Sequence, residues 1–271
     1  MSLVETAEQA KQDAAYKEAL VEVLYQLADD DFIISYRGSE WLGLAPHIEE
    51  DVAFSSITQN TMGHAMLFYQ LLEELGEGDA DALAHERISN ERRNGTYFEI
   101  KNGSGTYLEE PQYDWALAVV RNYLYEAFKK VKLEEALKSS YAPLRNTADK
   151  VLMEQPYHLG HWKTWITQLQ DSSQEAKERI QSRLDEAWKQ IGDAFELGPK
   201  ADDILAKEIL SSSETLKQRW LDSVKETLTY VPNGDLASEL GNGRAKEHTD
   251  QLDQALATLS EVYNSDREAV W

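Results

Sequence analysis

Apolar residues recur along this chain at alternating steps of three and four, the repeat that lines one face of an α-helix. The first such stripe runs Leu20, Leu24, Leu27, Asp31, Ile34. The second is Ile57, Thr61, His64, Phe68, Leu71, Leu75. A weaker third is Val119, Tyr123, Glu126, Leu133, Leu137. The fourth is long, from Leu144 through Ala148, Val151, Gln155, His158 and Trp162 to Trp165 and Leu169. A fifth takes in Ile180, Leu184, Ala187, Ile191 and Phe195, flanked by Trp188, and a last one Leu252, Ala255, Leu259 and Val262. Stripes of this period are the seams of helices packed lengthwise in a bundle.

Breakers fall where such a bundle has to turn: Gly43 to Pro46, Gly76 to Asp79, and Gly103 to Gly105. The stretch 79–111 is too long for a tight hairpin and reads as a crossover between two helical pairs. Phe32–Tyr36 is the one β-prone run, and it lies inside helical periodicity. No flexible linker interrupts the chain. The expectation is an all-α fold, a four-helix bundle core with additional C-terminal helices, in one domain over residues 1–271.

Polar residues interrupt four of these seams at core-facing positions. Burying a carboxylate or imidazole without a partner costs roughly several kcal/mol, so these groups need a metal or one another. Their spacing repeats. Asp31 is followed 30 residues later by Thr61 and then by His64; Glu126 is followed 29 residues later by Gln155 and then by His158. An acid on one helix and X-x-x-His on the next, twice over, is the layout of ferritin-like di-iron carboxylate bundles. There, carboxylates of the two Glu-x-x-His pairs bridge the ions. Here Thr61 and Gln155 stand at those bridging positions, so two hard cations would be poorly neutralised. Three outcomes are open for Asp31, His64, Glu126 and His158: a metal-free hydrogen-bonded cluster, which is favoured, a site for one divalent ion, or a working di-iron centre.

Composition narrows the function. The chain has 271 residues, 42% of them hydrophobic, and no cysteine, which excludes disulfides, thiolate metal sites and thiol nucleophiles. A net charge of −22 disfavours nucleic-acid partners. The first residues lack the pattern of a signal peptide, and no apolar run suits a membrane span, so a cytoplasmic setting is expected. Other candidates are weak. His158 with His161 could hint at a metal pair. The Gly103–Gly105 and Gly241–Arg244 segments read as turns rather than phosphate loops. Ser139–Ser140 lacks a nucleophile elbow. The seven tryptophans read as packing residues, some of them at a subunit interface.

Several local motifs carry a resemblance. Glu40–Trp41 with Gly43, Ala45–Pro46, the acidic Glu49–Asp51 patch, Met62–Gly63–His64–Ala65 and Tyr157–His158–Leu159 form one set. Gly243–Arg244, His248–Thr249, Leu252 and Trp271 form a more specific C-terminal block. With these the chain resembles the C-type subunit family of ring 1,2-phenylacetyl-CoA epoxidases. The resemblance implies a non-catalytic, ferritin-like subunit with no catalytic residue of its own. It implies no cofactor in this chain, the di-iron centre belonging to a similar catalytic subunit. Its partners would be that catalytic chain and the other components of a hetero-oligomer, with a homodimer possible in isolation. The catalytic pattern maps onto Asp31, Thr61, His64, Glu126, Gln155 and His158 and fails at Thr61 and Gln155. His64 itself departs from the glutamine common in the C-type family. The alternative is a stand-alone metal-binding oxidase or iron-binding protein that uses Asp31, His64, Glu126 and His158.

Overall fold

A computed structural model describes residues 3–106, 109–267 and 269. Trp271, one of the C-terminal motif residues, lies outside them. The long helices are α1 (Ala14–Ser39), α2 (Ile48–Glu74), α3 (Trp115–Ala136), α4 (Ala142–Leu152), α5 (Gln155–Gln170), α6 (Gln174–Trp188), α7 (Ser213–Lys225) and α8 (Asp250–Leu259). The architecture is the expected all-α, ferritin-like bundle with extra C-terminal helices.

Helix ends follow side-chain chemistry. Asp13 caps α1 by accepting from the Tyr16 amide at 3.1 Å, and Asp114 caps α3 through the Leu117 amide at 3.1 Å. His47 Nδ1 accepts from the Glu50 amide at 3.2 Å at the start of α2. Glu49, Glu50 and Asp51 in that first turn complement the helix dipole. Gly76, at φ +85°, takes the left-handed turn that ends α2.

Three expected seams are shorter than the periodicity suggested. The fourth stripe is two helices, broken at Met153–Glu154, because Pro156 sits in the first turn of α5 and cannot extend a helix from before it. The fifth ends at Trp188, and Gly192–Phe195 forms a 3-10 turn. The last stripe is likewise interrupted at Ser260, beyond which Glu261–Ser265 forms a separate short helix. The crossover also contains a hairpin that its polar sequence concealed. β1 (Gly103–Thr106) pairs antiparallel with β2 (Glu109–Tyr113), Gly103 opposite Tyr113. Gly103 admits the close approach, since a Cβ there would lie 2.2 Å from the Gln112 carbonyl oxygen. Helix α7 matched no expected stripe, although Leu216, Trp220 and Val224, all buried, carry the right period.

The layers determine where charge has to be neutralised. Helices α1 and α3 are buried on nearly every side. Helix α2 packs along α1, α4 and α5 pack on α3, α6 packs on both α3 and α5, and α7 packs on α3. Three consecutive acids on α1 are therefore inside the protein. Asp29 accepts from Tyr69 Oη at 2.6 Å and from Arg87 at 3.1 Å, with Arg92 at 3.5 Å. Burial opposes its ionisation, but Arg87 and Arg92 outweigh it and hold the carboxyl below its ordinary range. Asp30 takes a two-pronged contact from Arg244, 2.8 Å to each oxygen, plus the Gly95 amide at 2.9 Å.

The C-terminal motif block is thus a staple. Arg244 also donates to the Ala194 carbonyl at 2.9 Å and to the Arg93 carbonyl. Gly243 donates to Asp193 Oδ2 at 2.9 Å, the oxygen that also accepts from the Thr96 amide. A Cβ on Gly243 would strike the Asn94 carbonyl oxygen, so only glycine fits. His248 reaches Glu99 Oε2 at 2.8 Å, and the Thr249 amide reaches Glu99 Oε1 at 2.7 Å. Ser139–Ser140 is structural as well: Ser140 Oγ bonds the Tyr16 hydroxyl at 2.9 Å and the Lys207 carbonyl at 2.7 Å.

Removing one partner of a buried pair leaves an uncompensated charge. Arg244→Ala is expected to lower stability by about 3–5 kcal/mol in urea unfolding at neutral pH. A loss below ~1 kcal/mol would show that the staple is redundant.

Candidate functional site

The six positions singled out by spacing converge in the bundle interior. Asp31 comes from α1, Thr61 and His64 from α2, Glu126 from α3, Gln155 and His158 from α5. All six are buried. The His64 and His158 rings face each other with centroids 5.8 Å apart.

They do not form one hydrogen-bonded cluster. They form two halves, and the first is organised by a residue that spacing did not single out. Lys129 of α3 donates to Asp31 Oδ1 at 2.6 Å and to His64 Nδ1 at 2.9 Å. The Tyr125 hydroxyl donates to the same Asp31 oxygen. An ammonium only donates, so His64 Nδ1 is the acceptor and the ring is the neutral Nε2–H tautomer. His64 Nε2 then donates to Glu154 Oε2 at 3.0 Å. In the second half, Gln155 Nε2 donates to Glu126 Oε2 at 2.6 Å and to the Glu126 carbonyl at 2.9 Å. His158 Nδ1 lies 3.5 Å from Glu126 Oε1, too far for a hydrogen bond, and neither of its ring nitrogens has a partner.

The electrostatics follow from this geometry. Burial pushes the Asp31 carboxyl up to about 6, against the pull of Lys129 and Tyr125. The Tyr125 hydroxyl is raised well above its ordinary value by burial and by Asp31. Burial, and after it the positive charge of Lys129, pushes His64 down to about 2. Glu126 is held low: burial opposes ionisation, but His158, Lys129 and Gln155 outweigh it.

A di-metal centre does not fit these residues. Asp31 is committed to Lys129 and Tyr125, and Glu126 to Gln155. The ammonium of Lys129 lies between Asp31 and His64, where a cation would have to bind, and the two charges would repel. The donor atoms left over are the His158 nitrogens and Gln155 Oε1, none of them a carboxylate oxygen. Among the described residues no group of three or more His, Cys, Asp or Glu is arranged to hold a metal ion. An amide at 155 suits a site with no metal: a second carboxylate facing Glu126 would repel it, whereas Gln155 donates to it.

The remaining candidates resolve into structure. His161 does not join His158; its Nε2 bonds Glu50 Oε1 at 3.0 Å, and Trp165 Nε1 donates to Glu50 Oε2 at 2.5 Å. The tryptophans are mostly packing residues, Trp41, Trp115, Trp162 and Trp165 in one aromatic cluster and Trp188 with Trp220 in another. Lys129 had a signal in the sequence. The third stripe steps from Glu126 straight to Leu133, and Lys129 occupies the missing seam position, one turn after Glu126.

The family described as "Phenylacetic acid catabolic protein" matches the chain over residues 1–271. Among curated proteins, the chain is 27% identical over 240 residues to the C-type subunit of 1,2-phenylacetyl-CoA epoxidase from Escherichia coli strain K12, covering 86% of this chain and 92% of that one. It is 22% identical over 240 residues to the A-type subunit of the epoxidase from the same organism, covering 84% and 74%.

The shift at His64 gives a pH test. The unfolded ring takes up a proton below about 6.5, whereas the folded ring refuses it down to about 2. The unfolded state therefore binds more protons in this window, and stability falls as pH falls. From pH 7 to pH 5 the wild type is expected to lose about 2 kcal/mol more than His64→Gln. Parallel stability curves for the two proteins would contradict a buried neutral ring.

Proposed function

The chain belongs to the phenylacetic acid catabolic protein family, and from that premise we propose that it is a non-catalytic subunit of a phenylacetyl-CoA ring-epoxidising monooxygenase. It serves, as a single domain over residues 1–271, to support a di-iron catalytic chain of the A type in a hetero-oligomer within the cytoplasm. The observation that carries this reading is Lys129, whose ammonium bonds both Asp31 and His64. A protein that keeps the scaffold of a metal site but neutralises it with its own side chain keeps the shape without the chemistry. Closer similarity to the C-type than to the A-type chain supports the same assignment. None of the described helices is long and apolar enough to cross a membrane.

The stand-alone oxidase reading needs Asp31, His64, Glu126 and His158 free to ligate. His158 alone of the four has unpartnered ring nitrogens, and one imidazole does not hold iron.

Iron analysis of the purified chain tests the proposal. The wild type is expected to hold only sub-stoichiometric iron after incubation with ferrous ion. Thr61→Glu with Gln155→Glu should not restore binding, because Lys129 still occupies the centre; adding Lys129→Ala should raise iron uptake. A wild-type chain that binds a pair of irons and consumes oxygen without partners would overturn the reading.

A further inference from the structure

The two histidine-bearing helices α2 and α5 lie side by side and present an outer face unlike the rest of the surface. From Val52 to Leu72, 21 residues pass without Asp, Glu, Lys or Arg. In α5 the only such residue is Lys163. By contrast α6, packed against α3 and α5, carries seven in its 15 residues. A chain with net charge −22 has plenty of charge to solvate an exposed helix, and on this face it uses almost none.

The face is also where apolar side chains stand out. Of the ten large apolar residues exposed among the described residues, five lie on this face or at its ends: Leu44, Ile48, Val52, Met153 and Tyr157. Tyr157 is 79% exposed and Ile48 70%. A groove of about 530 Å³ runs between the helices, lined by Ala53, Gly160, Thr164 and Trp165, with Glu49 and Glu50 at its α2 end. Scattered apolar residues mean little, but a cluster of this kind marks an interaction surface. Two glycines interrupt the helices on this face, Gly63 and Gly160, and a Cβ on either would meet nothing within 4 Å. Packing inside the chain therefore does not require them, although glycine weakens a helix.

We propose that this α2/α5 face seats the catalytic chain of the A type, packed through an uncharged helical face of its own. The proposal rests on the partner reading above and adds the surface. Charge decides between this occupant and a second copy. The rim of the face is net acidic, with Glu49, Asp51, Glu73, Glu154 and Asp171 at its edges against Lys150 and Lys163. Two copies seated face to face would bring acid rim against acid rim, each on a chain of net charge −22. A different chain can present a neutral centre and a basic rim. The size suits a stable complex. Helices of this length at ~1.5 Å per residue, ~10 Å apart, span about 30 by 20 Å. With the Leu44–Ile48 approach the face nears the ~800 Å² per partner of an ordinary interface.

The test uses the full-length chain and the iron-loaded A-type homologue from the same genome, with affinity read by analytical ultracentrifugation and calorimetry. Ser56→Glu with Gly160→Glu is expected to weaken association at least ~100-fold by placing unpaired charges in the seam. Thr215→Glu with Gln218→Glu adds the same two charges at exposed positions of α7, which packs against α3, and should alter affinity by less than about threefold. Gly63→Ala with Gly160→Ala guards against misfolding: it should raise the unfolding midpoint by about 2 °C or more and still weaken association. If the wild type binds and both face variants bind equally well, the surface assignment is wrong while the partner reading stands. If the wild type does not bind the homologue at all, the partner reading fails. If instead it forms a homodimer that the face variants dissolve, the occupant is wrong.

Discussion

Three consecutive carboxylates on a helix that hardly reaches water constrain the rest of this fold. Asp29, Asp30 and Asp31 point in different directions from α1, and each needs a cation. Each is served by a different part of the chain. Arg87 and Arg92 of the crossover take Asp29, Arg244 of the C-terminal segment takes Asp30, and Lys129 of α3 takes Asp31. These pairs add specificity to the general attraction of the apolar core. They fix which segment lies where, because any other arrangement leaves a carboxylate buried and alone. The glycine at 243 serves the same end, letting the backbone come close enough for Arg244 to reach Asp30.

The pair at Asp31 bears on function. In a di-iron bundle the inward acids and imidazoles are held together by metal charge. Here an ammonium takes up the position and does the same mechanical work, joining α3 to α1 and α2. Gln155 removes one carboxylate from the other half and ties α5 to Glu126. The bundle is closed without a metal, and its outer α2/α5 face is left free for another role.

Much of this was legible in the sequence, and the residues show where legibility stops. The stripes through Leu24, His64, Tyr123 and Trp162 placed four bundle helices, because periodicity reports directly on which face is buried. The duplicated acid and X-x-x-His spacing brought six residues to one place. Periodicity did not report the break at Met153–Glu154, where one proline outweighs an unbroken apolar stripe, nor the hairpin around Gly103, whose residues carry turn chemistry rather than alternation. Lys129 was the most consequential omission. A lysine one turn from an inward glutamate looks like a solvated side chain unless the gap in the stripe is taken as a core position. The Gly243–Arg244 block was visible as a motif, but its partner Asp30 lies 214 positions away and can only be found in space.

A double-mutant cycle on Asp31 and Lys129 tests the internal-cation account most directly. Asp31→Asn, Lys129→Met and the double variant are compared by denaturant unfolding at neutral pH. The account predicts that each single change is strongly destabilising, that the double change costs far less than their sum, and that the coupling is about 2 kcal/mol or more. Additive effects within ~0.5 kcal/mol would contradict it.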